Sequence, residues 1–381
     1  MRLFLVAILG IALFVPHAGA AAPSHQPVNL AILYPVSTNK DPDISTNLRL
    51  SLLSGHVGEV RGIDLNGVAS FTSGGVGGIQ LNGIYGQVDG AMKGVQLSGL
   101  ASYVKGDVAG LQIAYLGLVD RSNVNGIQFG GLFNLVDGSV YGFQAAGMVN
   151  LVDGDASFIQ WSGFGNSVDG DFTGLQTADG FNYVGGRMGG VQGALVNFTG
   201  RMSGVQVGGA NFARSSGGLQ LGVANWAREQ KGIPVGMVNL TEGGDIGWVS
   251  YGSNLCPVNT GIRTEVRNWY SMLTAGTHDS KGDVREALIL TWNYGRAFRL
   301  APRTRIGLDL GFSHYIPAKD SDPAKNDRLH YAIEARGLVE ERTGRRTLIF
   351  AGGGYARVFS EYSTNATGEN EPLAFGGVSL F

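Results

Sequence analysis

The central part of the chain, residues 59–259, repeats one hydrophobic pattern at a fixed period. A glutamine between two apolar residues recurs at steps of 16 and then of 14 residues, at Gln80, Gln96, Gln112, Gln128, Gln144, Gln160, Gln176, Gln192, Gln206 and Gln220. Asp64 stands one step before this series, and Pro234 stands one step after it. A spacing this regular predicts one structural unit per repeat, with each unit stacked on its neighbours.

A second polar position follows the glutamine. It lies six residues later in the long units, at Asn134, Asn150, Asn166 and Asn182, and Asp-Gly pairs such as Asp137-Gly138 then turn the chain. If each repeat is one coil of a β-solenoid, identical side chains stack at ~4.8 Å and form glutamine and asparagine ladders. The pattern therefore predicts a β-solenoid of twelve coils, in which Asp64 and Pro234 discourage pairing beyond the two ends.

An antiparallel meander with one strand per repeat is the competing geometry. It would merge the repeats and the carboxy-terminal strands into one wide barrel of about twenty strands. Strict alternation would then put Gln206 and Asn211 on opposite faces, whereas Gln128 and Asn134 would share a face, so the meander needs bulges. The solenoid is favoured, and the wide barrel remains the alternative.

From residue 260 to 381, apolar and polar residues alternate at period two, which predicts antiparallel strands. We predict six: 261–273, 287–298, 304–315, 329–339, 347–359 and 373–381. Long polar connections alternate with short ones, and the chain ends on Phe381, a pattern typical of an outer-membrane β-barrel. One face is charged and would line the lumen, with Arg263, Glu265, Arg267, Arg305, Asp309, Glu334 and Arg336. An internal ion-pair network is favoured over a pore, because a small barrel is filled by its own side chains.

Six strands are too few for such a barrel, in which eight is the minimum. The amino-terminal region, residues 21–58, supplies two more candidates at 28–36 and 47–54. The solenoid, 59–259, is then an insertion between barrel strands two and three, with residues 247–254 as its end cap. Counting strands back from a periplasmic carboxy terminus places the solenoid on the periplasmic side.

Residues 1–20 have the basic start, short apolar run and small-residue end of a secretory signal peptide. The formal net charge is −2, and no basic stripe suggests a nucleic-acid partner. The expected location is therefore the outer membrane or surface of a Gram-negative bacterium. The expected partners are outer-membrane lipid and an unidentified protein or glycan.

The sequence contains no recognisable catalytic, cofactor or metal site. Cys256 has no evident histidine partner, and His278, His314 and His330 lack metal-ligand spacing. Several aromatic residues in the repeats, if exposed on one face, would suit a glycan, but a core position is favoured: Phe129, Phe133, Phe143, Phe158, Trp161, Phe164, Phe172 and Phe181. We therefore expect no enzymatic activity and no cofactor.

The repeat unit, Gly-Φ-Gln-Φ-x-Gly-Φ-x-Asn-x-Val with Φ for an apolar residue, resembles that of bacterial surface-repeat proteins of spirochaetes and the Bacteroidetes group. Residues 37–39, 47–55, 233–236 and 377–381 are also similar to that group. The resemblance covers nearly the whole mature chain and implies architecture rather than chemistry. It also implies repeats outside the cell, in conflict with the strand count.

These observations predict a non-enzymatic outer-membrane repeat protein, anchored by a barrel, with a structural or adhesion role. A wide-barrel porin or transport protein is the first alternative, and steady conductance in planar bilayers would favour it. The second alternative is a secreted solenoid enzyme acting on polysaccharide, which requires a charged cluster on one coil face. The units from Gly94 to Gly200 contain few charged residues and none in a cluster.

Overall fold

The computed structural model describes residues 24–254, 256–278, 287–317, 330–360 and 369–381, so the predicted signal peptide lies outside the described residues. The predicted all-β fold is confirmed: a parallel β-solenoid of about 14 turns is followed by a closed eight-stranded antiparallel barrel. The single wide barrel is wrong, because successive repeats pair in parallel. In the described part of the chain, no helix is long and apolar enough to cross a membrane.

The chain is divided into two compact units, Met1–Leu111 and Gln112–Phe381. The first contains solenoid coils. Its strands are β1 (His25–Leu33), β2 (Val36–Ser37), β3 (Ser45–Val57), β4 (Glu59–Asn66), β5 (Ala69–Thr72), β6 (Val76–Asn82), β7 (Tyr85–Val88), β8 (Met92–Ser98) and β9 (Ala101–Val104), and β10 (Val108–Ala114) contains the boundary. The longer strands β4, β6 and β8 pair in parallel, as do β5, β7 and β9.

The amino-terminal strands correct the sequence-based prediction. Segments 28–36 and 47–54 were expected in the barrel, but β1 pairs in parallel with β3, and β3 pairs in parallel with β4. They therefore form the first coils of the solenoid. Alternating apolar residues fit a barrel strand or a solenoid strand equally well, so the pattern alone did not separate the two.

The second unit continues with solenoid strands β11 (Gly117–Asp120), β12 (Val124–Gly130), β13 (Phe133–Val136), β14 (Val140–Ala146), β15 (Val149–Val152), β16 (Ala156–Ser162), β17 (Gly165–Val168), β18 (Phe172–Ala178), β19 (Phe181–Gly193), β20 (Val196–Met202), β21 (Val205–Ser216), β22 (Leu219–Gln230), β23 (Ile233–Val235) and β24 (Val238–Thr241). A long coil has one seven-residue strand and one four-residue strand. The glutamine side chain of the seven-residue strand points inward. On the four-residue strand, the side chains of the asparagine and of a valine point inward.

The barrel follows without interruption. Its strands are β25 (Asp245–Ser253), β26 (Val258–Val266), β27 (Trp269–His278), β28 (Ala287–Arg299), β29 (Thr304–Pro317), β30 (His330–Arg342), β31 (Thr347–Ser360) and β32 (Glu369–Leu380). Neighbours in the sequence pair antiparallel, and β25 pairs with β32 to close the ring, with Trp248 opposite Leu380.

Two further corrections explain how eight strands arise from residues 245–380 alone. All but the last residue of the predicted end cap, 247–254, lie in barrel strand β25. The predicted strand 261–273 is a hairpin, because the chain reverses at Arg267, whose φ is +59°. The charge alternation runs through this turn and so conceals it in the sequence.

The solenoid meets one end of the barrel, called here the turn end. It carries the short connections 267–268, 300–303 and 343–346, the start of β25 and the carboxy terminus. The backbone N–H of Asn239 donates to Thr264 Oγ1 at 3.3 Å, and Ser271 Oγ donates to the Met237 carbonyl at 2.8 Å. The barrel is contiguous in sequence, so the predicted insertion of the solenoid between its strands is wrong.

Candidate functional site

The predicted glutamines stack in register and are fully buried or nearly so. Within each unit, Nε2 of a glutamine donates to Oε1 of the glutamine before it. In the first unit, Gln96 donates to Gln80 at 2.7 Å. In the second unit, six bonds of 2.7–2.9 Å and a last one of 3.0 Å form one continuous series through Gln112, Gln128, Gln144, Gln160, Gln176, Gln192, Gln206 and Gln220. The glutamine ladder therefore has a direction, with donors on the carboxy-terminal side.

The donor direction of the glutamine ladder explains why an aspartate, Asp64, occupies its first position. Gln80 donates to Asp64 at 2.8 Å, so this position needs only an acceptor. The carboxylate is buried and is neutralised by the buried guanidinium of Arg49, whose Nε donates at 2.6 Å. Asp64 is therefore not an exposed edge charge, as the sequence suggested. Arg49, in the coil before it, was missed because that coil was assigned to the barrel.

The opposite end of the ladder is left open. Pro234 is in register with Gln220, and it has neither an amide side chain nor an N–H to donate. Gln220 Oε1 is correspondingly a buried acceptor with no hydrogen-bond partner among the described residues. The final glutamine thus contributes one ladder bond rather than two.

The predicted asparagines form a second ladder that runs the other way. Nδ2 of each donates to Oδ1 of the following asparagine, at 2.7–2.9 Å along Asn134, Asn150, Asn166 and Asn182, and the series continues to Asn239. The second N–H of Asn150 donates to the Trp161 carbonyl at 2.8 Å. Because the two ladders point in opposite directions, their side-chain dipoles oppose each other.

One carboxylic acid lies between rungs of the glutamine ladder. Asp120 is fully buried, and it accepts hydrogen bonds from Nε2 of Gln112, at 3.1 Å, and of Gln128. Burial raises the pKa of Asp120 to about 7, an effect that the two amide hydrogen bonds only partly offset. This residue was not predicted as a site, because a valine occupies its position in the neighbouring coil, at Val136.

All long coils but one have a glycine two residues before the glutamine, and the backbone conformation there favours it. Gly142 has a φ of +147°, and a Cβ on it would lie 1.9 Å from the carbonyl oxygen of Gly126. One coil departs from this rule: Phe158 occupies the position with a φ of +91° and a side chain that is 63% exposed. Its backbone is strained, since a residue with a Cβ rarely adopts positive φ.

The lumen of the barrel holds the first of two ionic clusters near its turn end. Arg263 is buried, and its Nη2 donates at 2.5 Å to Glu265 and also to Glu340. Arg305 donates to both oxygens of Glu265, at 3.0 and 2.8 Å, and lies 2.8 Å from Glu340. The ring of Tyr270 lies 4.5 Å from the Arg263 guanidinium. Two cations thus share two carboxylates.

The second ionic cluster lies next to the first. Arg336 binds Asp309 through two N–H groups, at 2.7 and 3.1 Å, and Tyr270 donates its hydroxyl to the same carboxylate at 2.8 Å. Glu334 accepts from Ser313 at 2.7 Å and lies 3.9 Å from Arg336. Every carboxylate of the two clusters therefore has both a cation nearby and a hydrogen-bond donor.

The structure places six of the seven predicted lumenal charges inside the barrel. Arg267 is the exception: it is exposed in the β26–β27 turn, and its Nη1 donates to the Lys231 carbonyl of the solenoid at 2.9 Å. Glu340 was missing from the predicted site, although its place in the alternation of β30 indicated an inward position.

Apolar side chains fill the lumen between and beyond these charges. Tyr251, Met272, Phe350 and Phe375 belong to one buried cluster within it. A cavity of about 20 Å³ beside Cys256 and Glu334 has room for one water molecule. Charged and apolar side chains of the described residues therefore occupy the lumen.

The outer walls of both regions are apolar. Leu308, Leu310 and Phe312 face outward from β29 of the barrel. On the solenoid, Phe133 and Phe172 are buried as expected, whereas Phe129, Phe158, Trp161 and Phe164 are exposed, which corrects the prediction of a core position. These four face outward because the glutamines and asparagines already occupy the interior.

No side-chain arrangement typical of a catalyst is found in the described part of the chain. Its His, Cys, Asp and Glu residues form no group of three or more that is suited to a metal ion. Cys256 is buried, and its Sγ donates to the carbonyls of Val258 and Thr277 at 3.4 and 3.1 Å. Burial raises the pKa of the Cys256 thiol, which disfavours its reactive thiolate form.

Comparison with known proteins adds no assignment to these features. No protein-family model matches the chain, and neither the curated proteins nor the solved structures give a significant match.

Proposed function

We propose that this chain is an exported, non-enzymatic outer-membrane protein of a Gram-negative bacterium. Its eight-stranded barrel anchors the solenoid at the membrane surface on the turn end, which corresponds to the periplasmic side. The solenoid then has a structural or binding role, offering protein or glycan partners a regular sheet surface. The observation that carries the proposal is the inverted polarity of the barrel.

Inverted polarity means that charges lie inside and apolar residues outside. Arg263, Glu340 and Arg336 are buried in the lumen. By contrast, the wall exposes residues such as Leu290, Leu310, Ile333, Val339 and Ile349. This arrangement is unfavourable in water, because the apolar wall stays exposed to solvent. In a bilayer, lipid covers the wall.

Aromatic residues on the outer wall support the same orientation. Trp248, Trp269 and Tyr294 lie on the half of the wall near the turn end. Trp269 and Tyr294 stack with their ring centres 5.5 Å apart. Membrane barrels carry such aromatic girdles at the level of the lipid headgroups.

A transport role is less well supported. The two ionic clusters and the apolar side chains fill the lumen, as expected of a barrel with eight strands. The solenoid, by contrast, exposes apolar residues in several coils, including Ile127, Leu175, Val191 and Val207. Contiguous apolar surface of this kind is typical of a binding or packing surface.

A charge placed on the barrel wall tests the anchoring role. The chain is refolded with phospholipid vesicles, and insertion is measured by flotation and by the migration of unboiled samples on gels. We expect wild type to insert and Leu310→Arg to insert poorly, because an arginine at mid-membrane on a barrel costs about 2–4 kcal/mol.

Leu195→Arg is the matched control, because Leu195 is 64% exposed on the solenoid and Leu310 is 67% exposed on the barrel. We expect it to insert like wild type. Wild type that stays in the aqueous fraction, or equal behaviour of the two variants, would contradict the proposed anchoring.

A further inference from the structure

A cleft opens where the last coil of the solenoid meets the turn end of the barrel, within the second unit. It has a volume of about 340 Å³, and its lining includes Lys231 and Ile233 of the solenoid, Arg267 and Trp269 of the β26–β27 hairpin, and Arg296 of β28. We call it the junction cleft. It lies outside the lumen and belongs to neither of the ionic clusters described above.

The junction cleft is strongly cationic. Lys231, Arg267 and Arg296 line it, and no acidic side chain is among the described residues of its lining. Lys231 forms a weak ion pair with Glu229: its Nζ lies 3.4 Å from the carboxylate, and both side chains are about two-thirds exposed to solvent, which screens the attraction. Three cations without a carboxylate between them favour an anionic ligand.

Contacts with neighbouring groups fix two of these cations, Arg267 and Arg296, in place. The guanidinium of Arg267 is held by its hydrogen bond to the Lys231 carbonyl. The guanidinium of Arg296 lies over the Trp269 ring, 5.1 Å from its centre, and 5.2 Å from the ring of Phe298. Arginine held in this way keeps its planar set of N–H donors for the oxygens of a phosphate.

The walls of the junction cleft indicate the source of that phosphate. Arg296 shares the outer face of β28 with Trp292, Tyr294 and Phe298, so the cleft opens beside the aromatic half of the barrel wall. Aromatic side chains mark the headgroup level of a membrane barrel. A free phosphate ion would need only the cations, whereas a phospholipid also uses the apolar wall below them.

We propose that the junction cleft binds the phosphate group of an anionic phospholipid in the leaflet at the turn end. The inference rests on the proposed membrane anchoring and adds a lipid class to it. The phosphate lies between Lys231, Arg267 and Arg296, and the acyl chains lie along the apolar wall of β28. The bound lipid joins the solenoid to the barrel, since the three cations come from both.

Lipid retention by the folded, full-length chain tests the proposal. Protein in neutral detergent is titrated with phosphatidylglycerol, with phosphatidylcholine and with inorganic phosphate, and bound molecules are counted by native mass spectrometry. Wild type is expected to retain one phosphatidylglycerol in preference to phosphatidylcholine. The double variant Lys231→Gln/Arg296→Gln is expected to bind it at least about tenfold more weakly, since two charge-assisted hydrogen bonds are lost.

Arg299→Gln is the control, because Arg299 is an exposed cation at the turn end that does not line the junction cleft. It is expected to retain the lipid like wild type. The proposal is overturned if Arg299→Gln weakens retention as much as the double variant, or if wild type holds both lipids equally. Binding of inorganic phosphate that needs Lys231 and Arg296, without lipid selectivity, also overturns the lipid assignment.

Vesicle insertion tests the proposed membrane anchoring separately from lipid retention. A barrel that inserts without selective retention contradicts the junction site alone. A folded chain that retains phosphatidylglycerol selectively but does not insert into vesicles contradicts the anchoring alone.

Discussion

The solenoid and the barrel both bury many polar side chains, but they satisfy them in different ways. In the solenoid, neutral amides repeat with the coil, and each donates to a copy of itself one coil away. In the barrel, charges of both signs form clusters of unlike residues, such as Asp309 with Arg336 and Tyr270. Translation along a stack lets one residue type serve as donor and acceptor, whereas a closed ring has to join different partners across its lumen.

The difference also determines what a mutation leaves behind. A broken ladder leaves neutral groups without a partner, each costing about 1–3 kcal/mol. A broken ion pair leaves a buried charge, which costs more. The barrel is therefore expected to be the more sensitive region at single sites.

Removal of a lumenal cation should have the largest effect. Arg336→Met leaves Asp309 and Glu334 without their nearest cation, and it is expected to cost about 3–5 kcal/mol of barrel stability. The free energy of unfolding is measured by urea titration of the vesicle-inserted protein. The double variant Asp309→Leu/Arg336→Met should recover much of the loss, because it removes the charge together with its partner. Equal stability of Arg336→Met and wild type would contradict the comparison.

Asp120 tests what happens when the solenoid buries a carboxyl group that is held by amides. Its pKa is about 7 in the folded state and 3.8 for an unperturbed aspartate, so the folded state binds the proton more tightly than the unfolded state. Its contribution to stability is therefore fully present below pH 4 and is lost as the pH rises to 7, by at most about 4 kcal/mol. Hydrogen exchange of β11 to β13 across this range measures the effect.

Asp120→Asn is the control for that pH dependence. Asparagine does not titrate, so the difference in local stability between pH 4 and 7 should shrink relative to wild type. A wild-type solenoid that becomes more stable between pH 4 and 7 by an amount that Asp120→Asn abolishes would show the opposite sign and contradict the assignment.

Position within the ladder should determine the cost of losing a glutamine. Gln144→Leu leaves both Gln128 Oε1 and Gln160 Nε2 without a partner, at an expected cost of about 2–4 kcal/mol. Gln220→Leu removes only the donor to Gln206, so it should cost about half as much. Local hydrogen exchange compares the two variants. Equal costs would mean that the bonds do not act as separate rungs.

The smallest effect is a gain. Phe158→Gly places glycine where φ is +91°, as in the coils with Gly142 and Gly174, and it should stabilise the solenoid by about 1 kcal/mol. Phe158→Ala retains the Cβ and should show no gain, which separates backbone strain from loss of the ring. Thermal unfolding measures both. Equal gains in the two variants would assign the effect to the exposed ring instead.

Sequence reasoning identified the ladders because their residues repeat at a fixed step. It missed Arg49 and Asp120, since each occurs once and interrupts the repeat rather than following it. In the barrel, the alternation predicted the inward charges, but it also placed Arg267 in the lumen. Alternation gives the face of a strand and contains no signal for where the strand ends.

The sequence by itself determined the class of structure. A period of 16 residues with glutamine in register indicates stacked coils, and alternation from residue 260 onward indicates antiparallel strands. The tertiary structure decided which strands close the barrel, since β25 and the β26–β27 hairpin replace the amino-terminal pair. It also decided the junction cleft, whose cations are up to 65 residues apart in the sequence, from Lys231 to Arg296. The local period of the sequence determines which residues share a face of a strand or stack between coils. Closure of the barrel and the junction between solenoid and barrel depend instead on contacts between segments that are distant in the sequence.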